Sequence, residues 1–261
     1  MLPPNTSAAR TRLRETTTAR WRLLTVPLRL LYALYAWPVF LLLALGALLP
    51  LSLTVSLPAR RRLIRRVAGL ALRMGGMRLT VRDSGRLPAA CVVVANHASY
   101  LDGVVLAAVL PPHFGFVIKR EMRTVPAAGW LLERIGSYFV ARNNGAGSAR
   151  DVLRVMRGAS SGEALAFFPE GTFRHEPGLL RFHSGAFAAA ERAGVPVVPV
   201  VIHGTRRCLA PRSILPWPGR IQVEMLEPIP VPAGHHDGAA AMRDAARAAF
   251  LARLDLPDLA A

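Results

Sequence analysis

Residues 92–102 read VVVANHASYLD, a run of four small or β-branched apolar residues followed at once by polar side chains. A short apolar run of this kind predicts a strand that is buried on both faces of a sheet. A helical pattern begins near residue 100. The stretch therefore predicts a buried strand, a polar loop and a helix, with the polar groups held at the end of the strand.

The same alternation of strands and helices continues along the chain. Predicted strands cover residues 77–83, 90–96, 115–119, 137–142, 164–169, 195–203 and 220–228. Predicted helices cover residues 100–110, 126–135, 148–158, 184–193 and 239–254. Short apolar strands separated by helices predict an α/β fold, in which a mostly parallel sheet carries helices on both faces.

The first quarter of the chain differs in composition from the rest. Residues 1–66 contain eleven arginines and one acid, Glu15, so they carry +10 of the formal net charge of +17. Residues 30–59 are uncharged and, as one helix, would be about 45 Å long, against roughly 30 Å of bilayer hydrocarbon. We therefore expect a basic-flanked apolar membrane anchor over residues 1–66 and an α/β domain over residues 67–261.

Two geometries are open for this anchor. A single tilted span would place one arginine cluster outside the cytoplasm, against the tendency of basic residues to remain inside. Pro38, Gly46 and Pro50 could instead break the stretch into two short helices that enter and leave the membrane by one face. The hairpin is the favoured prediction, with the protein on the cytoplasmic face of the inner cell membrane.

Composition argues against several classes of protein. Because much of the positive charge flanks the apolar stretch, membrane lipids are expected as partners and nucleic acid is not. Cys91 and Cys208 suggest neither a disulfide framework nor a zinc site. His235, His236 and Asp237 are neighbours in a predicted loop, where adjacent side chains diverge, so no metal site is expected there.

His97 and Asp102 are the candidate catalytic pair. Histidine can act as a general base near neutral pH, and a carboxylate bonded to its other ring nitrogen fixes the tautomer. Five positions that include the start of a helix allow the carboxylate to fold back to the ring. A structural hydrogen bond that closes a turn would use the same spacing, so the pair alone leaves both interpretations open.

Four blocks, in order along residues 75–230, resemble the motifs of the glycerolipid acyltransferases, the family that contains 1-acyl-sn-glycerol-3-phosphate acyltransferase (PlsC-like). NHASYLD resembles their N-H-x-x-x-x-D block. GSYFVAR, FPEGT and GVPVVPVVI resemble the other three, through Gly136, Phe139, Arg142, Glu170, Gly171, Thr172, Pro196 and Pro199. One such block is a weak signal, whereas four in order are specific.

The resemblance implies transfer of a fatty acyl group from an acyl thioester, acyl-CoA or acyl-ACP, to the hydroxyl of a lysophospholipid. It favours 1-acyl-sn-glycerol-3-phosphate as acceptor, giving phosphatidic acid. Another lysolipid, such as a lyso-aminolipid, and a thioester hydrolase are the alternatives. The family implies no metal, no cofactor besides the acyl donor and no covalent acyl-enzyme. His97 would remove the hydroxyl proton, and Asp102 would orient His97.

The resemblance also implies where the acceptor binds. Arg142 would bind the acceptor phosphate, because a guanidinium group suits a dianion. The full set of candidate substrate contacts is Asn96, Ser99, Lys119, Arg142, Glu170, Gly171, Thr172 and Arg174. Ser99 also fits the cap of the following helix. Phe173 stands where many members of the family have arginine, so acyl transfer is better supported than the choice of acceptor.

Overall fold

The computed structural model of the chain describes residues 6–141, 154–232 and 237–259, with side chains from residue 26 onward. Its helices are α1 (Thr6–Leu53), α2 (Leu57–Met74), α3 (Leu101–Val109), α4 (Ala128–Arg134), α5 (residues 154–160), α6 (Gly185–Ala193), α7 (Thr205–Cys208) and α8 (Gly238–Arg253). Its strands are β1 (Met77–Arg82), β2 (Val92–Ala95), β3 (Gly115–Lys119), β4 (Tyr138–Val140), β5 (Leu165–Phe167), β6 (Val197–His203) and β7 (Gly219–Met225). Within the described residues, the predicted strands and helices agree with these elements to within a few residues at their ends. Residues 148–153 of the helix predicted over 148–158, and residue 142 of the strand predicted over 137–142, lie outside the described residues.

The seven strands form one sheet in the order β1-β7-β6-β2-β5-β3-β4. Neighbouring strands are parallel except for β6 and β7, which are antiparallel, so β1 and β7 run opposite to the other five. The predicted α/β fold with a mostly parallel sheet is confirmed. The reversal was not predicted. In β7 the buried Ile221, Val223 and Met225 alternate with more exposed residues, a pattern that is common in antiparallel strands but does not fix strand direction.

Both faces of β2 are buried, which explains its unbroken apolar sequence. Val93 and Ala95 face a core that includes residues of α2 and α3, whereas Val92 and Val94 face a core that includes residues of α6 and α8. The polar residues after Ala95 are therefore held at the end of a strand fixed from both sides.

The N-terminal helix α1 is 48 residues long and continues through Pro27, Pro38 and Pro50. The prediction of a break at Pro38, Gly46 or Pro50 is therefore wrong. The chain leaves the helix after Leu53, where the apolar run gives way to Thr-Val-Ser, and α2 begins with a proline in its first turn, a favoured position. Prolines are tolerated within apolar helices when nearby groups satisfy the freed carbonyls.

Within α1, the segment Val26–Leu53 is long and apolar enough to cross a membrane, with a mean hydropathy of 2.1. Only 17% of its most apolar window is buried, unlike the core helix of a soluble protein. Its outward side chains include Leu34 and Leu42, which are 75% and 68% exposed. The segment therefore presents an apolar surface along the outside of the protein.

Several hydrogen bonds attach α1 to the rest of the chain along its length. The Tyr35 hydroxyl donates to the Met74 carbonyl (3.0 Å), and Nε1 of Trp37 donates to the Ile214 carbonyl (2.7 Å). Near the other end, Nη2 of Arg134 donates to the Leu51 carbonyl (2.8 Å). The helix thus lies against the α/β domain at both ends of its apolar segment.

Helix α2 joins α1 to the α/β domain, and the predicted boundary after residue 66 falls inside it. Arg61 is buried, pairs with Glu163 (Nη2 to Oε1, 2.7 Å) and donates from Nε to the Ile135 carbonyl (2.9 Å). The opposite side of α2 carries the exposed Arg62 and Arg66. One part of the basic cluster is therefore structural, and another faces outward.

Candidate active site

His97 and Asp102 meet at the end of β2, as predicted. Nδ1 of His97 lies 2.9 Å from Oδ2 of Asp102, which is fully buried in the first turn of α3. The same oxygen accepts the backbone N–H groups of Ala98 (2.6 Å) and Ser99 (2.8 Å). Since a carboxylate can only accept, Nδ1 carries the imidazole proton and Nε2 presents its lone pair.

Aromatic side chains hold the His97 ring in place. Phe168 stacks on the ring, with centroids 4.1 Å apart, and Phe173 packs edge-on at 4.5 Å. Tyr100 in turn packs against Phe173 at 4.8 Å. The His97 side chain keeps 17% of its surface exposed, and among the described residues no group bonds to Nε2. The base is thus fixed in orientation, with its reactive nitrogen available.

Glu170 supports His97 through the main chain. Its Oε1 accepts the His97 N–H (2.7 Å), and its Oε2 accepts the Leu180 N–H (2.8 Å). The pKa of Glu170 is raised to about 7, chiefly by burial. Nearby Asp102 also raises this pKa, whereas the two N–H groups and Arg247 lower it. These contacts give Glu170 a positioning role; its predicted contact with the acceptor stays a prediction.

Asn96 and Ser99 are also occupied by backbone contacts. The Asn96 amide donates to the Ile202 carbonyl (3.0 Å) and accepts its N–H (2.7 Å), which joins the ends of β2 and β6. The buried Ser99 hydroxyl donates to the Leu209 carbonyl (2.7 Å) and accepts the Leu101 N–H (3.1 Å) at the start of α3. Both side chains fix the loop that carries His97, and their contact with substrate stays a prediction.

The remaining predicted contacts are more scattered. Gly171 has a φ of +69°, which favours glycine, and its N–H donates to the Phe168 carbonyl (2.9 Å), so this amide closes a turn. Thr172 and Arg174 line a cavity of about 430 Å³ beside Phe173. Lys119 ends β3 and pairs with Glu121 (3.3 Å), away from that lining. Arg142 lies outside the described residues, as do His235 and His236.

The described part of the chain has neither a metal cluster nor a nucleophile elbow. No group of three His, Cys, Asp or Glu residues there could hold a metal ion. A G-x-S-x-G sequence occurs at residues 158–162, but it covers the last residues of α5 and the turn that leads to β5. A nucleophile elbow needs a turn from a strand into a helix, so Ser160 does not have that geometry.

Phe168 and Phe173 are the site residues that the sequence alone did not identify as contacts of His97. Phe168 occupies the position directly after β5, where side chains reach the sheet edge that carries the site, and this was the available signal. In the sequence, Phe173 stands out only as a departure from the family pattern. Its contact with His97 joins loops far apart in sequence, which no local pattern indicates.

Comparisons with known proteins agree with this geometry. The family model described as Acyltransferase matches residues 78–203. A lyso-ornithine lipid O-acyltransferase from Pseudomonas aeruginosa is 35% identical over 192 residues, which cover 66% of this chain and 72% of that protein. The human 1-acyl-sn-glycerol-3-phosphate acyltransferase beta is 35% identical over 164 residues, 59% of this chain and 57% of that protein.

A yeast 1-acyl-sn-glycerol-3-phosphate acyltransferase (Saccharomyces cerevisiae) is 31% identical over 141 residues, 53% of this chain and 46% of that protein. The match thus spans about half the length of the yeast and human relatives. The crystal structure of PlsC, the 1-acyl-sn-glycerophosphate acyltransferase of Thermotoga maritima, shares the fold, with a TM-score of 0.68 at 21% identity over 86% of this chain and 96% of that one. The chain belongs to the PlsC-like glycerolipid acyltransferases, a family of O-acyltransferases.

Proposed function

We propose that this protein transfers a fatty acyl group from an acyl thioester to the hydroxyl of a membrane lysophospholipid, with His97 as general base. One observation carries the proposal: the His97 ring is bonded to the buried Asp102 through Nδ1 while Nε2 stays unbonded among the described residues. A base needs a free lone pair on a ring of fixed orientation, and this arrangement provides both.

The reaction follows from the tautomer. The acceptor oxygen attacks the thioester carbonyl carbon as its proton passes to Nε2 of His97, and Asp102 stabilises the resulting imidazolium. Collapse of the tetrahedral intermediate breaks the C–S bond. The proton then passes from Nε2 to the leaving sulfur, which gives an ester and a free thiol and restores neutral His97. No acyl group is attached to the protein in this scheme.

The position of α1 supports a location on one face of a membrane. Near one end of its apolar segment, Arg29 lies over the Trp217 ring at 5.6 Å, and near the other end Arg134 binds the Leu51 carbonyl, so α1 and the α/β domain lie side by side. A helix that crossed the bilayer would carry one of these ends away from the domain. We place α1 in one leaflet on the cytoplasmic side, where acyl-CoA and acyl-ACP would be available as donors.

The acceptor is proposed from the relatives. The human and yeast relatives carry the name 1-acyl-sn-glycerol-3-phosphate acyltransferase, and we keep this lysophospholipid as the main candidate. Lyso-ornithine lipid is the second candidate, because the Pseudomonas relative is named for it and matches over more of its length. Phe173, which contacts His97, stands where many members of the family have arginine, so the choice between the two acceptors is left to the product analysis.

Product analysis tests the proposal. The purified full-length protein in detergent micelles is incubated with either lysolipid and with either acyl-CoA or acyl-ACP, and the ester and the free thiol are measured together. We expect ester only when a lysolipid is present, with one thiol released for each ester formed. Thiol release at the same rate without a lysolipid would identify a thioester hydrolase and contradict the proposal.

A further inference from the structure

The cavity beside Phe173 contains two arginines that the reaction scheme does not use. Arg174 and Arg212 both line this space of about 430 Å³, together with Phe173 and Glu176. Phe173 in turn contacts the His97 ring. The cavity therefore lies next to the catalytic base and is large enough for a lipid head group.

Neither guanidinium group is used by the fold. Within residues 26–141, 154–232 and 237–259, the side chains of Arg174 and Arg212 have no hydrogen bond or ion pair; only the Arg174 carbonyl is bonded, by Arg206 at 3.1 Å. By contrast, Arg61 and Arg247 each bind carbonyls and a carboxylate. The two cavity arginines are thus available to a ligand.

The backbone at Arg212 adds a second observation. Its φ is +61°, in the left-handed region that glycine and asparagine adopt most readily. The residue follows Pro211 in a turn closed by the Ser213 N–H and the Ala210 carbonyl (3.1 Å). A bulky residue in this conformation is uncommon, and such outliers cluster at functional sites. Glycine would fit the turn better, so the backbone conformation does not account for the presence of an arginine side chain at this position.

The loop that carries Arg212 also contacts the apolar helix. Trp37 of α1 donates to the Ile214 carbonyl (2.7 Å), and the Ile214 side chain is 76% exposed. Three residues further on, Trp217 packs against Tyr32 of α1, with ring centroids 5.8 Å apart. Arg212 is therefore two residues from a part of the loop bound to the proposed lipid-facing helix, where the head group of a bilayer lipid would lie.

We propose that Arg212, together with the already predicted substrate contact Arg174, binds the anionic group of the acceptor head group, a phosphate or a carboxylate. This inference rests on the proposed function and extends it to a head-group site. A guanidinium fork binds the oxygens of either anion in a bidentate manner. Glu176 lines the same cavity, so a head group that carries an ammonium group as well as the anion would match all three charges.

Acceptor kinetics test this site. The full-length variants Arg212→Asn and Arg174→Gln are assayed with lysophosphatidate and with lyso-ornithine lipid, and KM is measured for the acceptor and for the thioester. Arg212→Gly is made as well, because glycine removes the side chain and relieves the left-handed backbone. Arg192→Gln is the control, since Arg192 is an exposed arginine in the last turn of α6.

Loss of a charge-assisted contact should raise the acceptor KM about tenfold or more for at least one lysolipid, with a smaller effect on the thioester KM. The acceptor KM should also depend less on ionic strength than in the wild type. The lysolipid whose KM rises more shows whether the two arginines bind a phosphate or a carboxylate. The control should match the wild type.

If all three variants transfer acyl groups with an acceptor KM within about twofold of the wild type for both lysolipids, the head-group site is wrong while the proposed function stands. If the wild-type protein acylates neither lysolipid, the proposed function is wrong and the inference is overturned with it.

Discussion

At the scale of single residues, the site depends on two buried carboxylates that accept backbone N–H groups. Asp102 accepts from Ala98 and Ser99 as well as from the His97 ring. Glu170 accepts from the His97 main chain. One carboxylate therefore orients the ring, and the other fixes the backbone that carries it. Geometry of this kind lowers the cost of reaching a reactive arrangement.

Glu170→Gln should change how stability depends on pH. The folded protein binds the Glu170 proton more tightly than the unfolded chain, since the pKa is raised from 4.5 to about 7. This group's contribution to stability is therefore full below pH 4.5 and is lost as the pH rises to 7. The advantage of the wild type over Glu170→Gln in free energy of unfolding should fall by about 3 kcal/mol across this range.

Urea unfolding of both proteins at several pH values measures this difference. The charged groups near Glu170 are Asp102 and Arg247. Arg247→Gln therefore serves as a reference for the effect of the Arg247 charge on the pKa of Glu170. A difference between wild type and Glu170→Gln that stays constant from pH 4.5 to 7 would show that folding does not raise the pKa of Glu170, and the burial argument would be wrong.

The sequence allowed the pairing of His97 with Asp102 to be predicted, because both lie within one strand-loop-helix unit. Other site contacts join distant parts of the chain. Glu170 is 73 residues from the His97 N–H that it accepts, and Asn96 is 106 residues from Ile202. Contacts over such separations depend on strand order, which the pattern of apolar residues does not encode. Arg212 shows a different limit: Pro211 favours a turn there, but an arginine does not indicate a left-handed backbone.

At the scale of secondary structure elements, α2 shows how one basic cluster can have two roles. The sequence predicts that the arginines at residues 60–66 flank the membrane anchor. Arg61 instead turns inward to Glu163, which also accepts the Tyr138 hydroxyl (2.5 Å). Burial, assisted by this bond, raises the pKa of Tyr138 to about 12. Sequence did not show this role, because the partner is 102 residues away.

Arg61→Met should destabilise the protein, whereas Arg62→Met should not. The first change leaves the mostly buried Glu163 without its cation and should lower the free energy of unfolding by about 3 kcal/mol. Arg62 is exposed on the same helix, so its replacement should have an effect below about 0.5 kcal/mol. Thermal and urea unfolding measure the stability of both variants against the wild type. Equal stability of the two variants would mean that Arg61 does not hold α2 to the sheet.

For the molecule as a whole, the apolar helix α1 and the net charge of +17 both favour binding to an anionic membrane. The exposed leucines of α1 can enter the hydrocarbon, and the exposed arginines of α2, such as Arg62 and Arg66, can contact anionic lipids. Both helices pack against each other and against the α/β domain, so a membrane bound there would lie close to the loop at residues 211–217.

Replacing two outward leucines of α1 should weaken membrane binding without unfolding the protein. Leu34 and Leu42 are mostly exposed, so the double change Leu34→Gln and Leu42→Gln removes apolar surface and keeps the net charge. Partition onto anionic vesicles, measured by sedimentation, should fall about tenfold or more. The double change Ala245→Gln and Ala248→Gln, at exposed positions of α8, is the control. Unchanged partition of the α1 variant would contradict a lipid-facing role for this surface.

The most direct measurement is the initial rate of ester formation from an acyl thioester and a lysolipid by the full-length His97→Ala protein. With the general base removed, the rate should fall by about 10³-fold, while the unfolding temperature and vesicle binding match the wild type. His113→Ala, at an exposed histidine, should keep the wild-type rate. A folded His97→Ala protein that forms ester as fast as the wild type would show that this imidazole is not the base.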